Sequence, residues 1–357
     1  MIKNIRMVLM GLFLTSLIFC VNPTISYADS DPSGAVGFLY KTNLPENQMD
    51  EAGYFNLKMT PGQKQKVSIT LTNLGKKEVT VEVRLNGART NSNGVLEYGE
   101  TKLDKDKSMK FDFADIVKGP KTVVIPPESD KELELDITMP ETSYDGIILG
   151  GIQLQKVEDK TQKKEQNGTT IVNEYAYTIA MLLRETDTPT SPELDYLKAY
   201  ATQINGRNSI MVDLGNQMPD ILKELTVEVQ IMAEKKDEVL FESKKTKMKM
   251  APNSVLNYSL SMEGQSMIPG TYRAHVVASV GEKKWEWMES FKITKEEADK
   301  FNREDIGLDQ NRGFDWKLVA KIVGSVFAFF LGAFFLIRFI ISRRKKTKRK
   351  NVKRKKR

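Results

Sequence analysis

The sequence predicts an all-β ectodomain, two β-sandwiches in series, joined to one C-terminal transmembrane helix. Three observations predict it. Apolar residues alternate with polar ones at period two through most of residues 34–295. A break at Thr186-Asp187-Thr188-Pro189-Thr190-Ser191-Pro192 divides that region, because two prolines among small polar residues continue neither a strand nor a helix. An apolar run from Leu318 to Ile337 then precedes a block of Arg and Lys.

Taken in order, Lys3 and Arg6 precede an apolar stretch, Met7 to Cys20, and Ser26 and Ala28 offer small residues for cleavage. Residues 1–28 therefore read as a secretory signal peptide. Acylation of Cys20 would need small residues where Ile18 and Phe19 stand. The first sandwich is expected over residues 34–187. Val67 to Leu71, Val79 to Leu85 and Leu133 to Ile137 alternate as half-buried strands. Ile147 to Val157 is the most apolar strand and contains Gly150-Gly151, a sign of a bulge or a close backbone approach. Tyr175 to Leu183 reads as its hairpin partner across the polar stretch Glu158–Gly168. That pairing places the boundary at a linker over residues 188–193.

The second sandwich is expected over residues 194–295, from Ile210 to Leu214, Leu225 to Ile231, Tyr272 to Val276 and Trp285 to Ile293. Residues 296–316 form a charged, helical stalk. Residues 317–341 form the spanning helix, with Lys321 able to snorkel to the interface. Residues 342–357 form a basic cytoplasmic tail, oriented by the positive-inside rule. Trp316 and Lys317 would sit at the outer membrane interface, and Arg338, Arg343 and Arg344 at the inner one. The expected location is the cell membrane, single-pass, with the ectodomain outside.

Composition removes several chemistries. Cys20 is the only cysteine and His275 the only histidine. Thiol nucleophiles, cysteine zinc sites and multi-histidine metal sites lose their ligands, and a Ser-His-Asp triad loses most of its support. The reading carries no cofactor and no metal. The net charge of +7 is set by the tail. Without the tail, Arg338 and the two leader cations, 39 basic residues face 47 acidic ones, leaving the ectodomain near −8. Nucleic acid is accordingly not an expected partner.

Candidate contact residues come from loops and aromatics. Asn91-Ser92-Asn93-Gly94 is an Asn-Gly turn, and Tyr144 and Asp145 precede Gly146 before an apolar strand. Either could be a plain turn or a ligand-contacting loop. Trp285 and Trp287 lie two apart on one strand face. They suit a core face, or an aromatic platform for sugar or protein. Asn91, Asn93, Tyr144, Asp145, Trp285 and Trp287 are therefore the partner-binding candidates. Asp104-Lys105-Asp106-Lys107 lacks the Gly and terminal Glu of a calcium loop. No pair of carboxylates stands out as a glycosidase would require.

Several motifs in sequence order resemble one family. They are Tyr54-Phe55-Asn56-Leu57, Pro61-Gly62-Gln63, Thr90 to Tyr98, Met139-Pro140 and Asp145 to Ile152 in the first half. In the second they are Glu174-Tyr175-Ala176-Tyr177, Asn205-Gly206-Arg207-Asn208, Met250-Ala251-Pro252-Asn253-Ser254 and Lys284-Trp285-Glu286-Trp287. The chain resembles the WxL-interacting protein family, surface proteins of low-GC Gram-positive bacteria. The resemblance implies two immunoglobulin-like sandwiches, the first peptidoglycan-binding and the second host-binding. It also implies WxL-domain surface proteins as partners, with peptidoglycan and host extracellular proteins as further ligands. The expected function is that of a non-enzymatic, membrane-anchored scaffold. The rival is a host-directed adhesin acting through the second domain without a WxL partner.

Overall fold

The computed structural model describes residues 36–157, 175–308, 319–335 and 338. The expected leader (1–28) and basic tail (342–357) lie outside those residues. So do Trp316, Lys317, Arg343, Arg344 and the polar stretch 158–174. The described chain is predominantly β.

Two sheets make the first half. One has the order β1 (Leu39–Asn43), β3 (Lys64–Asn73), β9 (Ser129–Thr138), β7 (Val117–Lys118), all antiparallel. The other has the order β2 (Phe55–Lys58), β11 (Ala176–Arg184), β10 (Ile147–Lys156), β4 (Val79–Gly87), β8 (Thr122–Ile125). Only its β2–β11 pair is parallel. The period-two pattern explains the layering. Val67, Ile69 and Leu71 of β3, Val79, Val81 and Val83 of β4, and Leu133, Leu135 and Ile137 of β9 all turn into one buried cluster. Each such side chain contributes about 1.5–3 kcal/mol on burial.

Strand β11 pairs with β10 in continuous register, from Ile147 opposite Arg184 to Gln155 opposite Ala176. The paired glycines of β10 therefore mark close approach, not a bulge. A Cβ on Gly150 would overlap the Phe113 ring, and one on Gly151 would meet Tyr98.

The second half repeats the plan. A three-stranded sheet has the order β12 (Leu194–Ile204), β13 (Arg207–Asn216), β16 (Val255–Ser261). A four-stranded sheet has the order β15 (Val239–Met250), β14 (Leu222–Ala233), β17 (Gly270–Val280), β18 (Lys283–Ile293). A second buried cluster gathers Val212, Leu214, Val227, Val229, Leu256, Tyr258 and Val276. A two-stranded hairpin, β5 (Arg89–Thr90) and β6 (Leu96–Glu97), projects from the first half.

The charged segment after β18 is helical over Lys295–Glu304, opened by a capping box between Thr294 and Glu297. It lies against the second half and not clear of it. Ala298 is buried in the second cluster, and Phe301 packs against the same cluster. Asn302 Oδ1 accepts from the Met267 N–H at 2.7 Å, and Asp305 Oδ2 accepts from the Asn208 N–H at 2.7 Å.

The expected spanning helix is corrected. The apolar run is helical over 319–335, 17 residues, and Arg338 is helical and exposed. No helix among the described residues is long and apolar enough to cross a membrane. The expectation of a single-pass, membrane-anchored protein is withdrawn with it.

Two stability predictions follow from this packing. Gly150→Ala should destabilise by about 1–3 kcal/mol through overpacking, whereas Gly53→Ala, with open space around it, should change the thermal midpoint little. Burial alone would raise the Asp305 carboxyl. Backbone N–H groups of Asn208, Gly307 and Leu308 and the Arg207 charge hold it below the usual range instead. A depressed folded pKa means the contribution is present above about pH 4 and is lost as pH falls through the folded value. Acid-unfolding curves should therefore be flatter at low pH for Asp305→Asn than for the wild type.

Candidate functional site

Four of the six contact candidates meet at one place, the junction between the halves. The turn 91–94 is built from its own side chain. Asn91 Oδ1 accepts from the Asn93 and Val95 N–H groups at 3.0 and 3.1 Å. Gly94 takes φ +69°, which a Cβ disfavours, and its α-carbon sits directly against Met248. The Lys249 N–H donates to the Gly94 carbonyl at 2.7 Å, and Lys245 Nζ donates to the Ser92 carbonyl at 3.2 Å. The hairpin is thus seated on the end of β15.

Behind the turn the contacts become buried and polar. Thr90 is fully buried; its hydroxyl accepts from the Ala251 N–H at 2.9 Å and shares a hydrogen bond with Ser254 Oγ at 2.5 Å. Ser254 Oγ in turn donates to the Ala251 carbonyl at 2.8 Å. Asn253, with φ +48°, is the hub. Its carbonyl accepts from the Asp106 N–H at 2.8 Å, and its amide donates to Ser108 Oγ at 2.8 Å and to the Gln217 carbonyl at 3.1 Å.

Tyr144 completes the hub. Its hydroxyl donates to Asn253 Oδ1 at 3.4 Å, its ring stands edge-on to Phe111 at 5.4 Å, and its N–H donates to Glu185 Oε2 at 2.8 Å. Burial first, and the Asp220 charge second, push its phenol up to about 12. Beside it Gly146 leaves room for Pro219, whose carbonyl accepts from the Ile147 N–H at 2.6 Å. A small apolar cluster of Ala88, Ile147, Leu149 and Ala251 fills the rest. Asn93 and Asp145 stay exposed at the rim, and Asp145 Oδ1 accepts from Thr186 Oγ1 at 2.6 Å.

Trp285 and Trp287 lie elsewhere, on β18. Both are half-buried against the second cluster, with Tyr196 6.3 Å from Trp287 and Lys283 Nζ 5.2 Å above the Trp285 ring. His275 holds Glu286 Oε1 at 2.7 Å and Gln230 Oε1 at 3.4 Å on the exposed face of the same sheet. Burial pushes Tyr196 and Tyr200 up to about 12, helped by Glu289 and Asp213 at Tyr196 and by Asp213 at Tyr200. These perturbed groups line strands and not a cleft. Among the described residues no three His, Cys, Asp or Glu side chains group as a metal site.

The sequence reading did not single out Thr90, Asn253 and Ser254 as functional. Its one available sign was the run Met250 to Ser254, where a Pro and two small polar residues interrupt β15 and β16. Thr90→Val should leave the Ala251 N–H unpaired and the Ser254 hydroxyl with only the Ala251 carbonyl, at a cost of about 1–3 kcal/mol. Calorimetry should show a lower midpoint, and separate transitions where the wild type unfolds in one.

Two family models match the chain in series. The one described as WxL Interacting Protein, peptidoglycan binding domain, matches residues 38–156. The one described as WxL Interacting Protein, host binding domain, matches residues 166–303. Strand β11 falls within the second match, yet it pairs with β10 in the first half. Comparison with curated proteins gives no match. Among solved structures, the CupB2 chaperone of Pseudomonas aeruginosa is 10% identical, with a TM-score of 0.26, covering 66% of this chain and 95% of that one. The CsuC–CsuE chaperone–tip adhesion subunit complex of Acinetobacter baumannii is 13% identical, with a TM-score of 0.30, covering 72% and 98%. The PapD-like domain of human CEP192 is 8% identical, with a TM-score of 0.26, covering 43% and 88%. At TM-scores of this size the likeness carries no weight for fold or function. The two matches in series, over residues 38–156 and 166–303, place the chain in the WxL-interacting protein family.

Proposed function

We propose that the chain is a non-enzymatic surface scaffold made of two immunoglobulin-like sandwiches in tandem. The first half engages peptidoglycan, the second engages host extracellular proteins, and the whole holds a WxL-domain protein at the wall. The observation that carries this reading is the serial match to a peptidoglycan binding domain and a host binding domain across residues 38–303. The buried junction supports it mechanically. A block whose halves share hydrogen bonds at Thr90, Asn253 and Ser254 presents two ligand-facing ends at a fixed spacing. Fixed spacing raises effective concentration when both ends are engaged.

The test uses the full chain with purified cell-wall sacculi and with a purified WxL-domain protein. The chain should sediment with the wall, retain the WxL-domain protein there, and release no soluble wall fragments. Failure to retain either ligand would sink the scaffold. Release of fragments would replace it with a hydrolase.

A further inference from the structure

Strand edges are where a β-protein offers backbone hydrogen bonds to a partner, and several edges here are guarded. Strand β15 exposes Lys244, Lys247 and Lys249 and turns Lys245 inward over the Tyr258 ring at 4.7 Å. The open stretch of β9 carries Lys131, Glu132 and Glu134. Strand β18 carries Lys284, Glu286, Glu289 and Lys292. The outer edge of β2 is covered by residues 47–49, which bond to Asn56 and Lys58.

Strand β11 differs. It pairs with β10 along its whole length, but with β2 only over Met181–Arg184. Among the described residues, Ala176–Ile179 therefore has a strand partner on one side only, while the Ala180 carbonyl already takes the first ladder bond from β2. The Met59 N–H donates to the Arg184 carbonyl at 2.8 Å, so the backbone groups of Arg184 face the β2 side. The register with β10 is unbroken, so alternation turns Ala180, Thr178 and Ala176 to that same side. The N–H and C=O groups of Ala176 and Thr178, and the N–H of Ala180, face an open row among the described residues. The stretch Ala-Tyr-Thr-Ile-Ala carries no charge. Apolar surface adjoins it: Tyr175, next to the strand's start, is 50% exposed. The Tyr177 ring is fixed edge-on to Tyr40 at 4.7 Å, and its hydroxyl donates to the Phe38 carbonyl at 3.2 Å.

We propose that Ala176–Ala180 is a strand-addition edge, which takes an uncharged, extended segment of the WxL-domain partner in the row continuing β2. The partner's backbone pairs with Ala176, Thr178 and the Ala180 N–H. Its alternate apolar side chains lie against Tyr175 and the Tyr40–Tyr177 pair. The absence of charge along this edge selects an uncharged segment, since a Lys or Glu there would be desolvated without a counter-charge. The assignment rests on the scaffold reading above and names the surface that reading leaves open.

Hydrogen exchange on the full chain, with and without a purified WxL-domain protein, tests it. The amides of Thr178 and Ala180 should exchange fast alone and slow at least tenfold in the complex. Thr178→Pro removes an outward N–H that β10 does not use, a position where proline is tolerated. It should weaken binding tenfold or more. Tyr175→Asp, which leaves the backbone intact, should weaken it severalfold, so the test survives if the proline variant is unstable. Wild-type binding with no protection at 176–180 and no loss in either variant would overturn the edge while leaving the scaffold standing. No binding by the wild type would overturn the scaffold itself. A homodimer abolished by Thr178→Pro would give the edge to a second copy and overturn the assignment to a WxL-domain partner.

Discussion

The structure depends on a buried polar joint. Thr90, Asn253 and Ser254 are withdrawn from water, and each makes a hydrogen bond to the opposite half of the chain. Such groups cost little while paired and about 1–3 kcal/mol each when one partner is lost. The joint is therefore selective. It tolerates one relative placement of the hairpin, the Tyr144 segment and the Met250–Ser254 segment, and penalises others. Gly94 and Gly146 belong to the same constraint, since their missing side chains let Met248 and Pro219 approach the backbone.

Around that joint the two hydrophobic clusters are conventional in their physics. Alternating strands bury one face, and the pleat sets which one. What is less usual is the allocation of β11. It lies within the sequence of the host binding domain match, and it contributes Ile179, Met181 and Leu183 to the first cluster. The chain then crosses to the second half through the proline-containing segment. Lys58 pairs with Asp187 and Lys283 with Glu193 at either side of that crossing. These are exposed ion pairs and add little stability. The hydrogen-bonded joint carries the coupling.

Tyr144, in the loop before β10, and Tyr196 and Tyr200, on β12, are all pushed up to about 12, and burial is the main cause in each case.

The strands of both halves could be read from the sequence, because period-two alternation is a local property written in adjacent residues. Val67 to Leu71 and Leu225 to Ile231 needed no tertiary information. The pairing of Tyr175–Leu183 with the strand ending at Val157 was also legible, from two apolar runs separated by a polar one. The family could be read from short motifs in order. The apolar run near the C-terminus was read as a spanning helix, and no helix among the described residues is long and apolar enough to cross a membrane. Tertiary structure alone decided what the turns were for. Asn91-Ser92-Asn93-Gly94 and Tyr144-Asp145-Gly146 have the local chemistry of free loops, and nothing local shows that Met248, Pro219 and Asn253 await them about 75 to 160 residues away. Whether a strand edge is paired, guarded or open is likewise a property of neighbours that the sequence places far apart. Local periodicity determines which residues form strands, and only the packed chain determines which backbone groups are left without a partner.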